Sequence, residues 1–473
     1  MSASLDMGPK LATLLVALTA CSCGSSTSSS NGVQANVEIS ADFSVAQGTF
    51  AFSTGRYLTS VPDQGAGFGS QTLQHLKLLN LVVGRVWVEF SQAYQLNLML
   101  PNYQFFYPYL DAWSGLATSL LLNWRTDYDS LVTGGGWSEQ NLLTAETAML
   151  VNYKTRYPTI QWIECENEPM DIATYYVKYR FVYRMVNAVN SMGLPGPALK
   201  VGGPTVNFFD ESAIGTFLDS YVADSDPSKR LDFVSYHQYL FGTNTDPYAN
   251  KDYPAMVSGE RAGLDALLTA RKLDVQTPAY ITETGVFPSD QQSALGFNAD
   301  LHIQAAALAA LQFFYLNQNR LYPFHWTVVH PTNPRKSMFT SEAQGVPLAY
   351  YQMQQMETML PGTRFASTTV LSDRGLGIGS LAGGTSGQVA LMTWNYQWVN
   401  QKSLDAVLVL KNLPVAFQTR QVLVEYYRIP VNRDSGELLK TDTSVIAPLV
   451  GGSYQVSVQY EPNEVDLVVL TAQ

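Results

Sequence analysis

Two glutamates each close an apolar stretch of the sequence. Glu168 follows the stretch Trp162–Asn167, and Glu283 follows the stretch Pro278–Thr282. In a closed barrel of parallel strands, the last side chains of the strands meet at the carboxyl end, where active sites form. Two carboxylates at such a mouth suit the cleavage of a glycosidic bond, in which one is the acid and the other the nucleophile or base. The pair therefore predicts glycoside hydrolysis.

Strand-like and helix-like segments alternate from about residue 48 to residue 345, and they would position these two glutamates. The strand candidates are Thr49–Ser53, Leu81–Val88, Thr118–Trp124, Ile160–Glu166, Leu199–Gly203, Phe233–His237, Ala279–Glu283 and Tyr322–Val328. Helical periodicity is clear in Tyr175–Met192, which Gly193 ends, and in the Ala-rich stretch Ala299–Leu316. This alternation predicts an α/β fold, a (β/α)8 TIM barrel. A doubly wound open sheet would need a Gly-rich phosphate turn after an early strand, and the sequence has none.

The pattern changes after Pro361-Gly362, where shorter runs of alternating residues are separated by Gly, Asn and Asp. These runs are Gln388–Trp394, Ala406–Leu410, Gln421–Arg428, Tyr454–Gln459 and Glu464–Leu470. They predict a C-terminal antiparallel β-sandwich over residues 361–473. The catalytic barrel is assigned to residues 37–360, and residues 37–48 are a candidate further strand of the sandwich.

Composition excludes several classes of function. The net charge is −11, and no run of five or more Lys and Arg occurs, which argues against nucleic-acid binding. The five histidines are scattered without ligand spacing, so we expect no metal and no cofactor. Cys21, Cys23 and Cys165 are too few for a disulfide scaffold, and Cys165 is expected to be a small buried side chain.

The N-terminus has the features of a targeting segment. Lys10 precedes the apolar run Leu11–Ala20, which is too short to span a bilayer and predicts a signal peptide over residues 1–20. The sequence Leu18-Thr19-Ala20-Cys21 resembles a bacterial lipobox, which implies lipidation of Cys21 and a Ser-rich tether over residues 21–36. We therefore expect an extracytoplasmic protein that contacts the membrane only through this anchor, at the outer membrane or cell surface. An ordinary cleaved signal peptide, and thus a secreted protein, is the alternative.

The spacing of the two glutamates connects them to a known group of enzymes. They are 283 − 168 = 115 residues apart, which three βα units would fill, so they follow strands four and seven. Asn167-Glu168-Pro169 with a strand-seven glutamate resembles the large clan of retaining (β/α)8 glycosidases. Within it, the motifs Val201–Pro204 and Asp232–His237 resemble glycoside hydrolase family 39, across residues 40–470. That resemblance implies a barrel with a C-terminal β-sandwich and a carbohydrate substrate.

The resemblance also implies roles for the site residues. Glu168 takes the position of the acid/base and Glu283 that of the nucleophile, while Asn167 takes that of the residue that binds the sugar 2-OH. A general acid needs a raised pKa, and a second carboxylate about 5 Å away raises it through repulsion. We therefore expect the pKa of Glu168 to lie above its usual value.

Four further residues are candidates for supporting roles. His237 and Tyr239 are two apart on a strand and so share a face. The resemblance to the clan implies that His237 lies near the acid/base and that the Tyr239 hydroxyl lies against Glu283. Arg85 in strand two is similar to the arginine that supports the nucleophile in this clan, and Trp326 to the tryptophan under the cleaved sugar. The alternatives are a buried histidine with an aromatic rim residue, a surface ion pair for Arg85, and a core tryptophan.

The remaining signals are open. Glu164 fits an acidic position of the family, whereas Glu166 is an additional acid that departs from its pattern. The aromatic segment Tyr103–Trp113 either lines subsites or packs a long loop. A catalytically inactive carbohydrate-binding surface lipoprotein is the rival function, and a structural surface lipoprotein is a third. The sequence does not fix the sugar, the linkage, endo or exo action, or the oligomeric state.

Overall fold

The structure is a computed structural model. It describes residues 37–50, 56–60, 67–95, 100–239, 253–286, 301–330, 336–371, 377–397, 403–431, 433 and 435–473. The predicted signal peptide, Cys21 and the tether lie outside the described residues. None of the helices in the described ranges is long and apolar enough to cross a bilayer.

The strands of the described residues form a barrel, a second large sheet and a two-stranded sheet of β4 and β5. In chain order they are β1 Val37–Thr49, β2 Tyr57–Ser60, β3 Val83–Glu89, β4 Tyr94–Gln95, β5 Leu100–Pro101, β6 Ser119–Arg125, β7 Ile160–Cys165, β8 Lys200–Val206, β9 Phe233–Tyr239, β10 Ala279–Gly285, β11 Leu321–Trp326, β12 Thr363–Ser367, β13 Val370–Leu371, β14 Gly377–Gly384, β15 Gln388–Tyr396, β16 Leu404–Lys411, β17 Val422–Ile429, β18 Leu439–Ile446, β19 Tyr454–Tyr460 and β20 Val465–Ala472.

In chain order, the helices of the described residues are α1 Ser70–Leu78, α2 Phe90–Ala93, α3 Tyr107–Ser114, α4 Glu139–Arg156, α5 Ile172–Ser191, α6 Glu211–Ala223, α7 Tyr253–Ala270, α8 Leu301–Leu316, α9 Ala349–Thr358 and α10 Val415–Thr419. Most of them lie between the barrel strands, whereas α10 lies between β16 and β17 of the second sheet. Side-chain caps begin three of them: Ser138 accepts from a first-turn N–H of α4, Asp171 from one of α5, and Asp210 from two of α6. Such caps pair backbone N–H groups that the helix itself leaves without partners.

Eight parallel strands close into a barrel in the order β2, β3, β6, β7, β8, β9, β10, β11 and back to β2. The predicted TIM barrel is confirmed. One predicted strand is wrong: Thr49 ends the long strand β1, and the first barrel strand lies later, at Tyr57–Ser60. All four residues of β2 are buried, but the stretch is short and half polar, so the more apolar Thr49–Ser53 dominated the sequence pattern.

The second sheet is mostly antiparallel and follows the barrel, as predicted. Its strand order is β18, β17, β20, β15, β14, β12, β1, β16 and β19, and β1 enters it from the N-terminal side of the barrel. The sheet folds back on itself, because Thr393 of β15 hydrogen-bonds Tyr460 of β19 although four strands separate them. Tyr426 of β17 likewise contacts Tyr454 of β19. The predicted sandwich is thus one continuous sheet whose two halves face each other across a shared apolar core.

The aromatic segment Tyr103–Trp113 packs against the outside of the barrel. Trp113 is fully buried, and its ring occupies the space beside Gly84 of β3, where a Cβ atom would lie 2.3 Å from the ring. Glycine at residue 84 is therefore required by this close approach. The structure therefore supports a packing role for the segment, although most of the segment is helical and not a loop, because α3 begins at Tyr107.

Candidate active site

Glu283 lies in β10, at the carboxyl end of the barrel, and is 6% exposed. Two donors hold its carboxylate. Arg85 Nη1 donates to Oε1 at 3.0 Å, and the Tyr239 hydroxyl donates to Oε2 at 2.9 Å. The two donors fix the orientation of the Glu283 carboxylate at the mouth of the barrel, as the role of a nucleophile requires.

Arg85 is fully buried at the centre of the site. Besides Glu283, its Nε donates to Glu164 Oε2 at 2.7 Å and its Nη2 donates to Asn167 Oδ1 at 2.8 Å. The surface ion pair considered from the sequence is therefore wrong. Because arginine only donates, the amide oxygen of Asn167 must face it, and the amide NH₂ is left for another acceptor.

Glu168 sits three residues past the end of β7, on a turn rather than in the strand. Glu166 and Glu168 both have a left-handed backbone, with φ of 61° and 46°. Residues other than glycine rarely adopt this conformation, and it costs free energy. The N–H of Glu168 donates to the carbonyl of Thr205 in β8 at 3.0 Å, which fixes the turn. The side chain of Glu168 is 44% exposed and faces the cleft.

His237 of β9 contacts both glutamates. Its Nδ1 lies 2.8 Å from Glu168 Oε1 and 3.5 Å from Glu283 Oε2. Its Nε2 is buried and has no hydrogen-bond partner among the described residues. We therefore place a proton on Nδ1, where it faces Glu168 Oε1, because an N–H at Nε2 would be buried and unpaired.

The expectation that Glu168 has a raised pKa is wrong. The hydrogen bond from His237 holds the pKa of Glu168 below its usual value, against the opposing effect of partial burial. The positive charges of Arg85 and Lys336 act in the same direction. The donor and the cations that the fold brings beside Glu168 outweigh the repulsion expected from the second carboxylate.

The two carboxylates and the imidazole form one cluster. An oxygen of Glu168, a ring nitrogen of His237 and an oxygen of Glu283 all lie within 4.8 Å of one another. This separation is compatible with the distance of about 5 Å between the carboxyl groups of retaining glycosidases. Such a trio also has the composition of a metal site, although the guanidinium of Arg85 on Glu283 disfavours a cation there.

Trp326 ends β11 at the same mouth of the barrel and is 8% exposed. Its ring lies 5.6 Å from that of Trp87 in β3, and the guanidinium of Arg125 lies 5.4 Å from the Trp87 ring. Aromatic faces pack against the C–H faces of sugars. The structure thus places two tryptophans at the mouth, whereas the sequence predicted only Trp326.

Asn123, a polar residue near the end of β6, belongs to the site but was not predicted from the sequence. Its Nδ2 donates to the carboxylate of Glu164 at 3.0 Å and to the carbonyl of Glu166 at 2.5 Å. Asn123 therefore ties the partner of Arg85 to the turn that carries Glu168. The available signal was an amide inside the apolar run Leu120–Trp124, where a buried polar group needs a structural reason.

Glu166 belongs to a second, buried acidic group behind the site. Burial raises its pKa to about 7, although Lys178 and the hydrogen bond from the Thr126 N–H oppose this. Glu146, which accepts a hydrogen bond from the Trp124 indole, is fully buried, and burial also raises its pKa. Among the described residues, no hydrogen bond joins Glu166 to the carboxylate of Glu168.

The fold matches solved structures of glycoside hydrolases. A GH39 enzyme from Xanthomonas axonopodis pv. citri matches with a TM-score of 0.68 and 14% identity, over 94% of this chain and 99% of that chain. A glucosidase from Croceicoccus marinus matches with a TM-score of 0.66 and 16% identity, over 92% and 99%. A GH51 α-L-arabinofuranosidase from Thermotoga petrophila matches with a TM-score of 0.61 and 11% identity, over 91% and 99%.

These structural neighbours share the closed parallel barrel and confirm, for the fold, the resemblance to family 39 and its clan. No protein-family model matches the sequence, and no curated protein does. At 11–16% sequence identity, the similarity to these structures concerns the fold alone. Evidence for the reaction comes from the residues of the site.

Proposed function

We propose that this protein is a retaining glycoside hydrolase that cleaves β-type bonds of an oligosaccharide or polysaccharide by double displacement. The observation that carries the proposal is the cluster of Glu168 and Glu283 at the barrel mouth, each held by its own donors. The glycoside hydrolase fold of the structural neighbours supports it.

In the first step, Glu283 attacks the anomeric carbon while Glu168 gives its proton to the departing glycosidic oxygen. The bond from the anomeric carbon to the leaving oxygen breaks, and an ester bond to Glu283 forms. The sugar covers the exposed side chain of Glu168, and this burial favours the protonated form that the step requires. The NH₂ of Asn167, whose Oδ1 accepts from Arg85, would bind the sugar 2-OH.

In the second step, water attacks the anomeric carbon and gives its proton to Glu168, now a carboxylate. The ester bond to Glu283 breaks, so the sugar is released with its original anomeric configuration. The hydrogen bond from His237 and the cations Arg85 and Lys336, which lower the pKa of Glu168, favour the ionised base in this step. Arg85 and Tyr239 donate again to the carboxylate of Glu283 as it leaves.

Proton NMR of the first-formed product tests the mechanism. We expect retention of the anomeric configuration, no turnover by Glu283→Gly, and full activity of Glu38→Ala, a control at an exposed glutamate in the sheet domain. Glu168→Ala should impair substrates with poor leaving groups much more than activated aryl glycosides, and azide should partly rescue it as a glycosyl azide of retained configuration. An inverted first product would refute the role of Glu283.

The rival function, a carbohydrate-binding protein without catalysis, makes a different prediction in the same experiment. It requires binding of a glycan with no turnover of aryl glycosides or polysaccharides by the unmodified protein. Glu168→Gln is the matched blank, because it removes the acid with little change of shape. Turnover that vanishes in this variant contradicts the rival.

We also propose that the enzyme acts outside the cytoplasm, anchored by a lipid on Cys21. The lipobox-like sequence that ends at Cys21 supports this location, as does the Ser-rich stretch that follows it. An extracytoplasmic position gives access to polysaccharides that do not enter the cell.

A further inference from the structure

Glu166 is a buried acid that the mechanism above does not use. It is 9% exposed and lies two residues before Glu168, in the same turn. Its backbone N–H donates to the carbonyl of Trp124 in β6 at 2.9 Å, which extends the parallel ladder between β6 and β7 by one hydrogen bond. The turn that carries Glu168 therefore leaves the barrel sheet at Glu166.

The side chain of Glu166 replaces a backbone group of that ladder. If the ladder continued, the N–H of Thr126 would donate next to the carbonyl of Glu166. Glu166 instead has a left-handed backbone, with φ of 61°, and its carbonyl accepts from Nδ2 of Asn123. Oε1 of Glu166 takes the place of the carbonyl and accepts from the Thr126 N–H at 3.1 Å. The carboxyl group thus pairs a buried backbone donor that the turn would otherwise leave without its ladder partner.

Two anchors hold the turn, one toward each neighbouring strand. The carboxyl of Glu166 anchors it on the β6 side, and on the β8 side the N–H of Glu168 donates to the carbonyl of Thr205 at 3.0 Å. Both glutamates have a left-handed backbone, a conformation that persists only where the surrounding contacts enforce it. Asn167 between them is held separately, because Arg85 donates to its Oδ1. Loss of the Glu166 anchor is therefore expected to act mainly on the direction of Glu168.

The role of Glu168 depends on where its carboxyl group lies. A general acid must be within hydrogen-bond reach of the atom that it protonates, and a displacement of about 1 Å can cost about 100-fold in rate. We propose that Glu166 is a positioning residue for Glu168 and acts through the hydrogen bond from the Thr126 N–H. This inference rests on the proposed glycosidase function, and it gives a role to the acid that departs from the family pattern.

The dependence of the rate on the leaving group tests the inference. The substrates are the phenyl and 2,4-dinitrophenyl β-glycosides of a sugar that the wild type cleaves, because the phenyl glycoside needs acid assistance and the dinitrophenyl glycoside needs little. Glu166→Ala should lower kcat/KM for the phenyl glycoside about 10- to 100-fold relative to the dinitrophenyl glycoside. Glu166→Gln keeps an oxygen that can accept from Thr126 and should retain the wild-type ratio. Glu166→Asp, one methylene shorter, should resemble Glu166→Ala and replaces it if Glu166→Ala does not fold.

Glu146 provides the matched control, since it is equally buried behind the site but accepts from the indole of Trp124. Glu146→Ala should keep the wild-type ratio between the two substrates. An equal loss on both substrates in Glu166→Ala would indicate a purely structural role and overturn the inference. An unchanged ratio would overturn it too, as would a Glu166→Gln variant that behaves like Glu166→Ala. The proposed function survives all three results, because it requires only that the wild type cleaves with retention.

If the wild type cleaves no glycoside, the proposed function fails, and the position of Glu168 is then measured directly. Carbon-13 NMR of the glutamate carboxyl groups, assigned with Glu168→Gln, gives the pKa of Glu168, which His237 holds below its usual value. Displacement from His237 in Glu166→Ala, or in Glu166→Asp in its place, should raise the pKa of Glu168 toward its usual value. Glu166→Gln should leave it where it is in the wild type.

A change of charge does not account for such a shift. Burial raises the pKa of Glu166 to about 7, so Glu166 is uncharged while Glu168 titrates, and its replacement removes no charge. The other charged groups that face Glu166 are the same in all variants, namely Lys178 of α5, Arg125 of β6, Asp129 and Glu146. An unchanged pKa of Glu168 in Glu166→Ala, or an equal rise in Glu166→Gln, would overturn the inference.

Discussion

Arg85 is expected to stabilise the fold and the site together. It is fully buried with Glu164, which it contacts at 2.7 Å, and with Glu283, which it contacts at 3.0 Å. Removing one member of a buried ion pair leaves the other charge without compensation and costs about 3–5 kcal/mol. Arg85→Met leaves two such carboxylates, so we expect a loss of this size in the free energy of unfolding.

The partner variant makes the test specific. Glu164→Gln keeps an oxygen that can accept from Arg85 and should cost about 1–2 kcal/mol. In the double variant, residue 164 is no longer a buried anion. The loss in the free energy of unfolding of the double variant should therefore be smaller than the sum of the two single losses by about 1–3 kcal/mol. Lys411→Met, which breaks an exposed ion pair with Glu38, should cost no more than about 1 kcal/mol.

Urea-induced unfolding followed by tryptophan fluorescence measures these differences. Kinetics provide a second readout, because Arg85→Met should lower kcat strongly while the control leaves it unchanged. A cost for Arg85→Met as small as that of the exposed pair would refute the reasoning. So would a double variant whose cost equals the sum, because the ion pair would then contribute nothing of its own.

Other predictions follow from the same site. His237→Phe removes the donor that lowers the pKa of Glu168, so the acid form should persist to higher pH and the alkaline limb of kcat/KM should move upward; an unmoved limb would contradict this. Burial raises the pKa of Glu166 from 4.5 to about 7, so ionisation of Glu166 opposes folding. The free energy of unfolding of the wild type should therefore decrease as the pH rises from 4.5 to about 7. Glu166→Gln should lose about 3 kcal/mol of this pH dependence, as measured by urea titrations at several pH values. Turnover should be unchanged by a chelator; a loss that a divalent ion restores would mean that the cluster of Glu168, His237 and Glu283 holds a metal. Cys21→Ala should move the protein from the membrane fraction to the soluble fraction of a bacterial host, and unchanged partitioning would refute lipidation.

Much of the fold was predictable because the barrel strands have a local sequence pattern. Seven of the eight predicted barrel strands coincide with observed ones within a few residues, since buried parallel strands are short apolar runs. The first strand was misplaced because Tyr57–Ser60 is short and half polar, and only its position between β11 and β3 buries it.

The residues that form the site could be predicted from the sequence better than the pKa of Glu168 could. The structure brings Glu168, Glu283, His237 and Tyr239 into one cluster, as their positions at strand ends predict. The lowered pKa of Glu168 could not be predicted, since it depends on His237, 69 residues further along the chain, and on two cations that the barrel delivers.

The sequence alone therefore determined the period of the strands, the two carboxylates and their order along the chain. These are local properties, set by side-chain type and by distance along the backbone. Only the tertiary structure decided that Asn123 joins Glu164 to the turn of Glu166, and that Lys336 lies on Tyr239. Such contacts depend on barrel closure, which brings residues far apart in the chain within a few ångströms, where burial and charge set their chemistry.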